Sequence, residues 1–140
     1  MRYVYPVSIE TADEGGFTVS FPDVPEALTQ GETWDQALQE AQDALVVALG
    51  GYVEAGLEIP VPRQPLLGQE TVPLPALIAA KVALYTAMRE EGVTKVELAR
   101  RLGVTEAVAR RLVHPDHQSR IEKVEAGLQA LGRTLVVEAA

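Results

Sequence analysis

Apolar and polar residues alternate at the start of the chain. Tyr3, Tyr5, Val7 and Ile9 fall on one side of a period-two pattern, the spacing of a strand with one buried face. Asp13-Glu14-Gly15-Gly16 supplies residues that tolerate positive φ, and Phe17-Thr18-Val19-Ser20-Phe21 alternates again. Strand, glycine turn and strand predict a hairpin. Pro22-Asp23-Val24-Pro25 interrupts the ladder, since proline offers no amide donor. Ala27-Leu28-Thr29-Gln30 supplies a short third strand before Gly31.

The period then changes from two to about 3.6. Thr33-Trp34-Asp35-Gln36 has the spacing of a capping box. Behind it Trp34, Ala37, Leu38, Ala41, Leu45, Ala48, Leu49 and Tyr52 form one apolar stripe, with Asp35, Gln39, Glu40, Gln42 and Asp43 facing water. Trp34 is read as a core residue of that stripe, and Gly56 stops the helix. Between Ile59 and Pro75 five prolines favour extended chain. The segment reads as a linker or lacing segment with a short strand around Thr71-Val72.

The second half is helical. Leu77, Ala80, Leu84, Tyr85 and Met88 line one face of a helix from Ala76 to Glu91, ended by Gly92. Lys81 lies beside that stripe, and its stem is expected to pack while the amine snorkels outward. Thr94 with Glu97 opens a second helix and Thr105 caps a third, with Gly103 between them for a left-handed turn. Ala99 is small where the two helices approach, and Leu98, Leu102, Val104, Ala109 and Leu112 supply the shared core. Ile121, Val124, Leu128 and Leu131 mark a last helix ended by Gly132, and Thr134-Leu135-Val136-Val137-Glu138 reads as a closing strand. A lone strand needs a partner. Pairing of Leu135, Val136 and Val137 with the same strand of a second copy protects its edges and makes a dimer.

Composition adds limits. With 47% hydrophobic and 23% charged residues the chain is globular, so wholesale disorder is excluded. The absence of cysteine removes disulfides, thiol catalysis and cysteine metal sites. No apolar stretch is long enough to span a bilayer, and Met1-Arg2-Tyr3-Val4-Tyr5-Pro6 has no signal core. A cytoplasmic protein without membrane contact is expected. The net charge of −8 hides an asymmetry. Residues 1–72 hold two basic and twelve acidic side chains, net −10, while residues 73–140 hold ten and eight, net +2. The two halves suit different partners: an acidic module attracts a basic protein, and a mildly basic one tolerates phosphate.

Two capped helices around Gly103 match a helix-turn-helix, and an ordinary helical hairpin that binds no DNA has the same spacing. The arginines favour the first. Arg110 and Arg111 lie on the second helix of the pair, and Lys95, Arg100 and Arg101 on the first. Recognition helices read base edges near their N-terminus and hold phosphates with flanking cations. Lys95, Thr105, Glu106, Ala107, Arg110 and Arg111 are the expected DNA-binding residues. Arg110 suits guanine, Glu106 suits cytosine N4, and Arg100 and Arg101 fit a solvated face. His114-Pro115-Asp116-His117 lacks a third ligand, so no metal and no cofactor is expected.

These residues together resemble the HicB-type antitoxins of bacterial HicAB toxin–antitoxin systems. The resemblance rests on Tyr5-Pro6-Val7, Glu14-Gly15-Gly16-Phe17, Val19-Ser20-Phe21-Pro22-Asp23, Pro25 and Thr29-Gln30-Gly31. It continues through Ala37-Leu38, Ala41, Ala44-Leu45, Ile59-Pro60, Ala80-Lys81 and Leu84-Tyr85. Glu97 to Val104 and Leu131 to Val137 complete it. It implies an α+β chain: a partial RNase H-like sheet-plus-helix domain at 1–58, a proline-rich linker at 59–75, and an all-α helix-turn-helix domain with a C-terminal strand at 76–140. It further implies a type II antitoxin, not an enzyme, that masks a basic HicA-like mRNA interferase and represses its own operon by operator binding, as a homodimer or tetramer. On that resemblance Tyr3, Tyr5, Phe21 and Asp23 become the toxin-binding candidates, with Trp34 weighed beside them and read as core.

Two other readings stay open. One is a stand-alone repressor whose N-terminal domain senses a ligand. The other is an RNase H-like nuclease, which needs carboxylates such as Glu10, Asp13, Asp23 and Asp43 to converge on metal ions.

Overall fold

In a computed structural model describing all 140 residues, the expected first strand is divided at Val7. Val4–Pro6 form β1 and Ser8–Thr11 form β2, because the two pieces find different partners. β2 pairs antiparallel with β3, Phe17–Ser20, placing Ile9 opposite Val19. β4, Leu28–Gly31, adds to the other edge of β3, giving a three-stranded sheet in the order β2-β3-β4. β1 instead pairs with β5, Thr71–Pro73, placing Tyr5 opposite Val72.

Two glycines allow the sheet and the first helix to meet. Gly16 has φ +80°, and a Cβ there would lie 2.6 Å from the Gly31 carbonyl oxygen. A Cβ on Gly31 would lie 2.5 Å from the backbone nitrogen of Ala37. That nitrogen belongs to α1, Trp34–Glu54. The helix starts as its sequence expects, with the Gln36 amide donating to Thr33 Oγ1 at 3.1 Å. The Gln36 side chain reaches one residue further back, accepting from the Glu32 amide at 3.0 Å. Ala37, Ala41, Leu45 and Leu49 are buried from α1, and Tyr5, Val19, Phe21 and Val24 from the strands and loops.

The proline-rich segment laces this unit together. The Val7 amide donates to Glu70 O and the Leu74 amide to Tyr3 O, both at 3.0 Å, flanking the β1–β5 pair. The Tyr5 hydroxyl donates to Pro60 O at 2.8 Å, and Gln69 Nε2 to Val7 O at 3.1 Å. Asp23 takes Arg63 by side chain and backbone, at 2.7 and 3.1 Å. Met1–Gly51 and Pro60–Leu74 accordingly form one compact unit, and Tyr52–Ile59 with Pro75–Ala140 a second. The units divide the chain elsewhere than at 58 and 75. Segment 60–74 supplies the partner β1 needs, and residues 52–59 are held by α2, Ala76–Glu91. There the Tyr85 hydroxyl donates to Leu57 O at 2.8 Å and the Arg89 guanidinium to Gly56 O.

The second unit adds α3, Lys95–Leu102, α4, Glu106–Val113, and α5, Ile121–Ala130. α2 packs on α4 and α5, and α3 on the same two helices. Leu84, Leu98, Ala109, Leu112, Val113, Val124 and Leu128 are buried between them. Val104, expected in that core, is 38% exposed, since it lies in the turn between α3 and α4. Gly127 marks the tightest approach, where a Cβ would lie 3.0 Å from Leu84 Cδ2.

The expected closing strand is absent. Residues 134–137 form no strand, because the second unit contains no other strand and a ladder requires a partner. Arg133 anchors the start of the tail on Glu90 and Glu91, at 2.8 and 3.2 Å. Beyond it Leu135 is half-buried, and Val136 and Val137 are 81% and 70% exposed.

Candidate functional site

The most organised charged feature is built on α3 and α4. Each helix begins at a threonine whose hydroxyl accepts an amide of the first turn: Thr94 from Glu97 at 3.1 Å and Thr105 from Val108 at 3.3 Å. Such caps satisfy amide donors that a helix start leaves unpaired. Gly103 closes α3 in left-handed backbone with φ +68°, and the Val104 amide donates back to Ala99 O at 3.0 Å. The result is two eight-residue helices separated by three residues, with Ala99 buried as expected at the close approach.

Charge is divided unevenly between the two. Glu97 does not complete its capping box. Its carboxylate turns to Arg100 and Arg101, accepting from Arg100 Nε at 2.8 Å and Arg101 Nε at 3.0 Å. Those hydrogen bonds hold Glu97 down at about 2, and the same partner raises Arg100. Arg100 and Arg101 thus share one carboxylate, and α3 keeps a net charge of +2 (Lys95, Arg100 and Arg101 against Glu97) beside +1 for α4 (Arg110 and Arg111 against Glu106). On α4, Arg110 and Arg111 are both exposed and make no ion pair. Glu106 is exposed in the first turn and Ala107 is half-buried. Thr105 sits at the same end with its hydroxyl committed to the cap, and Lys95 is half-buried at the start of α3. Basic residues in the last turn of α4 also suit the negative end of the helix dipole.

Lys81 is where the sequence misleads most. Its amine does not reach outward: the residue is 0% exposed. Nζ donates to Arg111 O at 2.8 Å, His114 O at 3.0 Å and Ser119 Oγ at 2.9 Å. All three ammonium protons are therefore used inside the protein. Burial pushes its pKa down to about 8, so at neutral pH it remains an ammonium. A lysine beside an apolar stripe ordinarily snorkels, and nothing local in the sequence shows that carbonyls 30 or more residues away will meet it.

The histidine loop is structural in character. His114 Nε2 lies 2.8 Å from Glu54 Oε1, and Nδ1 accepts the Asp116 amide at 3.1 Å. That pattern places the proton on Nε2. The His117 ring stands edge-on to it at 5.5 Å. No group of three or more His, Asp or Glu side chains is gathered as a metal ion requires. Of the carboxylates a nuclease would use, Asp23 is taken by Arg63, and Glu10, Asp13 and Asp43 are exposed.

The aromatic candidates of the first unit exchange places. Tyr3, Tyr5 and Phe21, expected as contact residues, are buried in the core, and Tyr5 is held there by the β1–β5 pair and its bond to Pro60 O. Asp23 is spent on Arg63. Trp34, expected in the core, is 42% exposed. As the first residue of α1 it meets Phe17 of β3 edge to face at 5.5 Å and leaves the rest of its ring to solvent. Helical periodicity puts it on the buried stripe, and burial begins only with Ala37.

Comparison with known proteins bears on the whole chain. A family model described as the HicB-like antitoxin of bacterial toxin–antitoxin systems matches residues 4–83. Antitoxin HicB 1 of Photorhabdus laumondii is 41% identical over 133 residues, covering 95% of this chain and 84% of that protein. Antitoxin HicB of Escherichia coli is 40% identical over 131 residues, 94% and 95% of the two chains. Antitoxin HicB of Pseudomonas fluorescens is 42% identical over 141 residues, 98% and 97%. No helix is long and apolar enough to cross a membrane.

Proposed function

The chain belongs to the HicB-like antitoxin family of bacterial toxin–antitoxin systems, and from that premise we propose that its two units divide the work. The acidic first unit, a partial RNase H-like domain, binds and masks a basic HicA-like toxin in the cytoplasm. The second unit is a helix-turn-helix that represses the operon by binding its operator, as a homodimer or tetramer joined through the tail at Leu135, Val136 and Val137. The observation that carries the DNA reading is the contrast between α3 and α4. Arg100 and Arg101 are both engaged by the single Glu97 carboxylate, while Arg110 and Arg111 stand exposed and unpaired on a helix capped by Thr105. An unpaired arginine is free to take guanine or phosphate without first breaking an ion pair.

For the toxin side, exposure favours Trp34 over the buried Tyr5 and Phe21. A partly exposed tryptophan among carboxylates such as Glu32 and Asp35 is the composition of an anchor for a basic partner. Co-expression with the small open reading frame beside this gene tests the first activity. A basic protein that co-purifies, and that is toxic only without this chain, supports it; a harmless neighbour that does not bind removes it. Gel shift with the upstream DNA tests the second. Arg110→Ala is expected to weaken operator binding by about 1–3 kcal/mol, and unchanged affinity and specificity would sink the contact.

A further inference from the structure

Lys81 lies on α2, which carries none of the proposed DNA contacts, yet all three of its hydrogen bonds end at the C-terminal end of α4 or in the loop that follows it. Arg111 O belongs to the last turn of α4, His114 is its C-cap, and Ser119 Oγ lies two residues before α5. The C-terminal carbonyls of a helix lack partners within the helix, and they carry the negative end of its dipole. An internal ammonium there satisfies two of them. No other side chain caps this end of α4; its remaining links are the His114 amide to Arg110 O at 3.1 Å and the His117 amide to His114 O at 3.2 Å. Rotation or fraying of this end would displace Arg110 and Arg111, which occupy the same turn.

Resting on the helix-turn-helix reading above, we propose that Lys81 is a positioning residue for operator recognition: it fixes the C-terminal end of α4 and so sets the aim of Arg110 and Arg111. It touches no DNA. Removing it leaves the surface charge of the unit unchanged, because the ammonium is buried. Its loss therefore separates two components of binding. Phosphate attraction, which is insensitive to sequence, survives a misaimed helix. Base-edge readout, which needs a defined geometry, does not.

The test compares wild type, Lys81→Met and Ser119→Ala on two duplexes of equal length at several salt concentrations. One duplex carries the promoter region of the chain's own operon, the other an unrelated sequence. The readout is the ratio of the two affinities. Lys81→Met keeps the side-chain volume and is expected to lower that ratio about tenfold or more, the size of a lost bidentate base contact. The affinity for the unrelated duplex and its salt slope stay unchanged. Ser119→Ala, which withdraws one acceptor, is expected to give a smaller loss in the same direction. A merely stabilising lysine predicts something else: partial unfolding removes active protein from both reactions equally, and the ratio holds. An unchanged ratio in Lys81→Met overturns the proposal. If that variant does not fold, an unchanged ratio in Ser119→Ala overturns it alone. A wild-type ratio of one defeats the helix-turn-helix reading itself, which separates that failure from the failure of Lys81.

Discussion

Two aromatic residues of the first unit sit at opposite extremes of exposure, with opposite consequences. Tyr5 is fully buried and spends its hydroxyl on Pro60 O. Tyr5→Phe strands that acceptor and is expected to cost about 1 kcal/mol, read as a lower urea midpoint at unchanged slope. Trp34→Ala removes one edge-to-face contact and is expected to cost about 1 kcal/mol or less in stability. Toxin affinity should instead fall by about 2 kcal/mol or more, the scale of an anchor residue; titration calorimetry against the purified toxin checks it. Lys81 titrates near 8 when folded and near 10.5 when not. Between those values the unfolded chain holds the extra proton, so this group's contribution makes the protein more stable as pH rises from 8 toward 10.5. Wild type is expected to gain on the order of 2 kcal/mol over Lys81→Met between pH 7 and pH 9.5, measured by urea unfolding at both. At this scale the sequence is legible where chemistry is local. Thr33, Thr94 and Thr105 each cap the helix that their spacing announces. It is illegible where a partner lies far along the chain, as for Lys81, Asp23 and Tyr5.

At the level of elements, the helices and hairpin follow from periodicity, while strand boundaries follow from partners. Tyr3 to Ile9 reads as one strand, yet β1 and β2 separate because β5 arrives from more than 60 residues away to claim the first of them. The same dependence explains the tail. Leu135, Val136 and Val137 have the composition of a strand and no strand beside them. Glycine marks the contact between hairpin and helix more sharply than any apolar residue. Gly31→Ala forces a Cβ against the backbone of α1 rather than against a side chain that can rotate away. It is expected to destabilise by roughly 1–3 kcal/mol, and Gly15→Ala, where a Cβ meets nothing, only by the strain of positive φ, about 1 kcal/mol. Thermal unfolding of the pair distinguishes the two causes.

Over the whole molecule the charge split is plain from the order of residues alone, as is the resemblance to a family whose members are named as antitoxins. The threading is not. The chain leaves the first unit after Gly51, returns at Pro60 and leaves again after Leu74. Proline density speaks for extended backbone but not for what that backbone lies against. A fragment ending at residue 58 lacks β5 and the Pro60 and Arg63 anchors, whereas one ending at 74 contains them. The shorter fragment is expected to be insoluble or to exchange its β1 amides freely, and the longer one to protect them, by hydrogen exchange. The same threading decides what a protease achieves. Leu66 and Leu67 project fully from the return segment, in the kind of exposed loop where chains are nicked. One cut there removes no residue, but it leaves β5 attached only to the helices that follow it. The β1–β5 ladder, with the flanking Val7–Glu70, Leu74–Tyr3 and Gln69–Val7 hydrogen bonds, then joins two separate pieces of chain. Residues 52–59 and 75–140 also lie on opposite sides of the cut, so each unit would then be two pieces of chain held by noncovalent contacts alone.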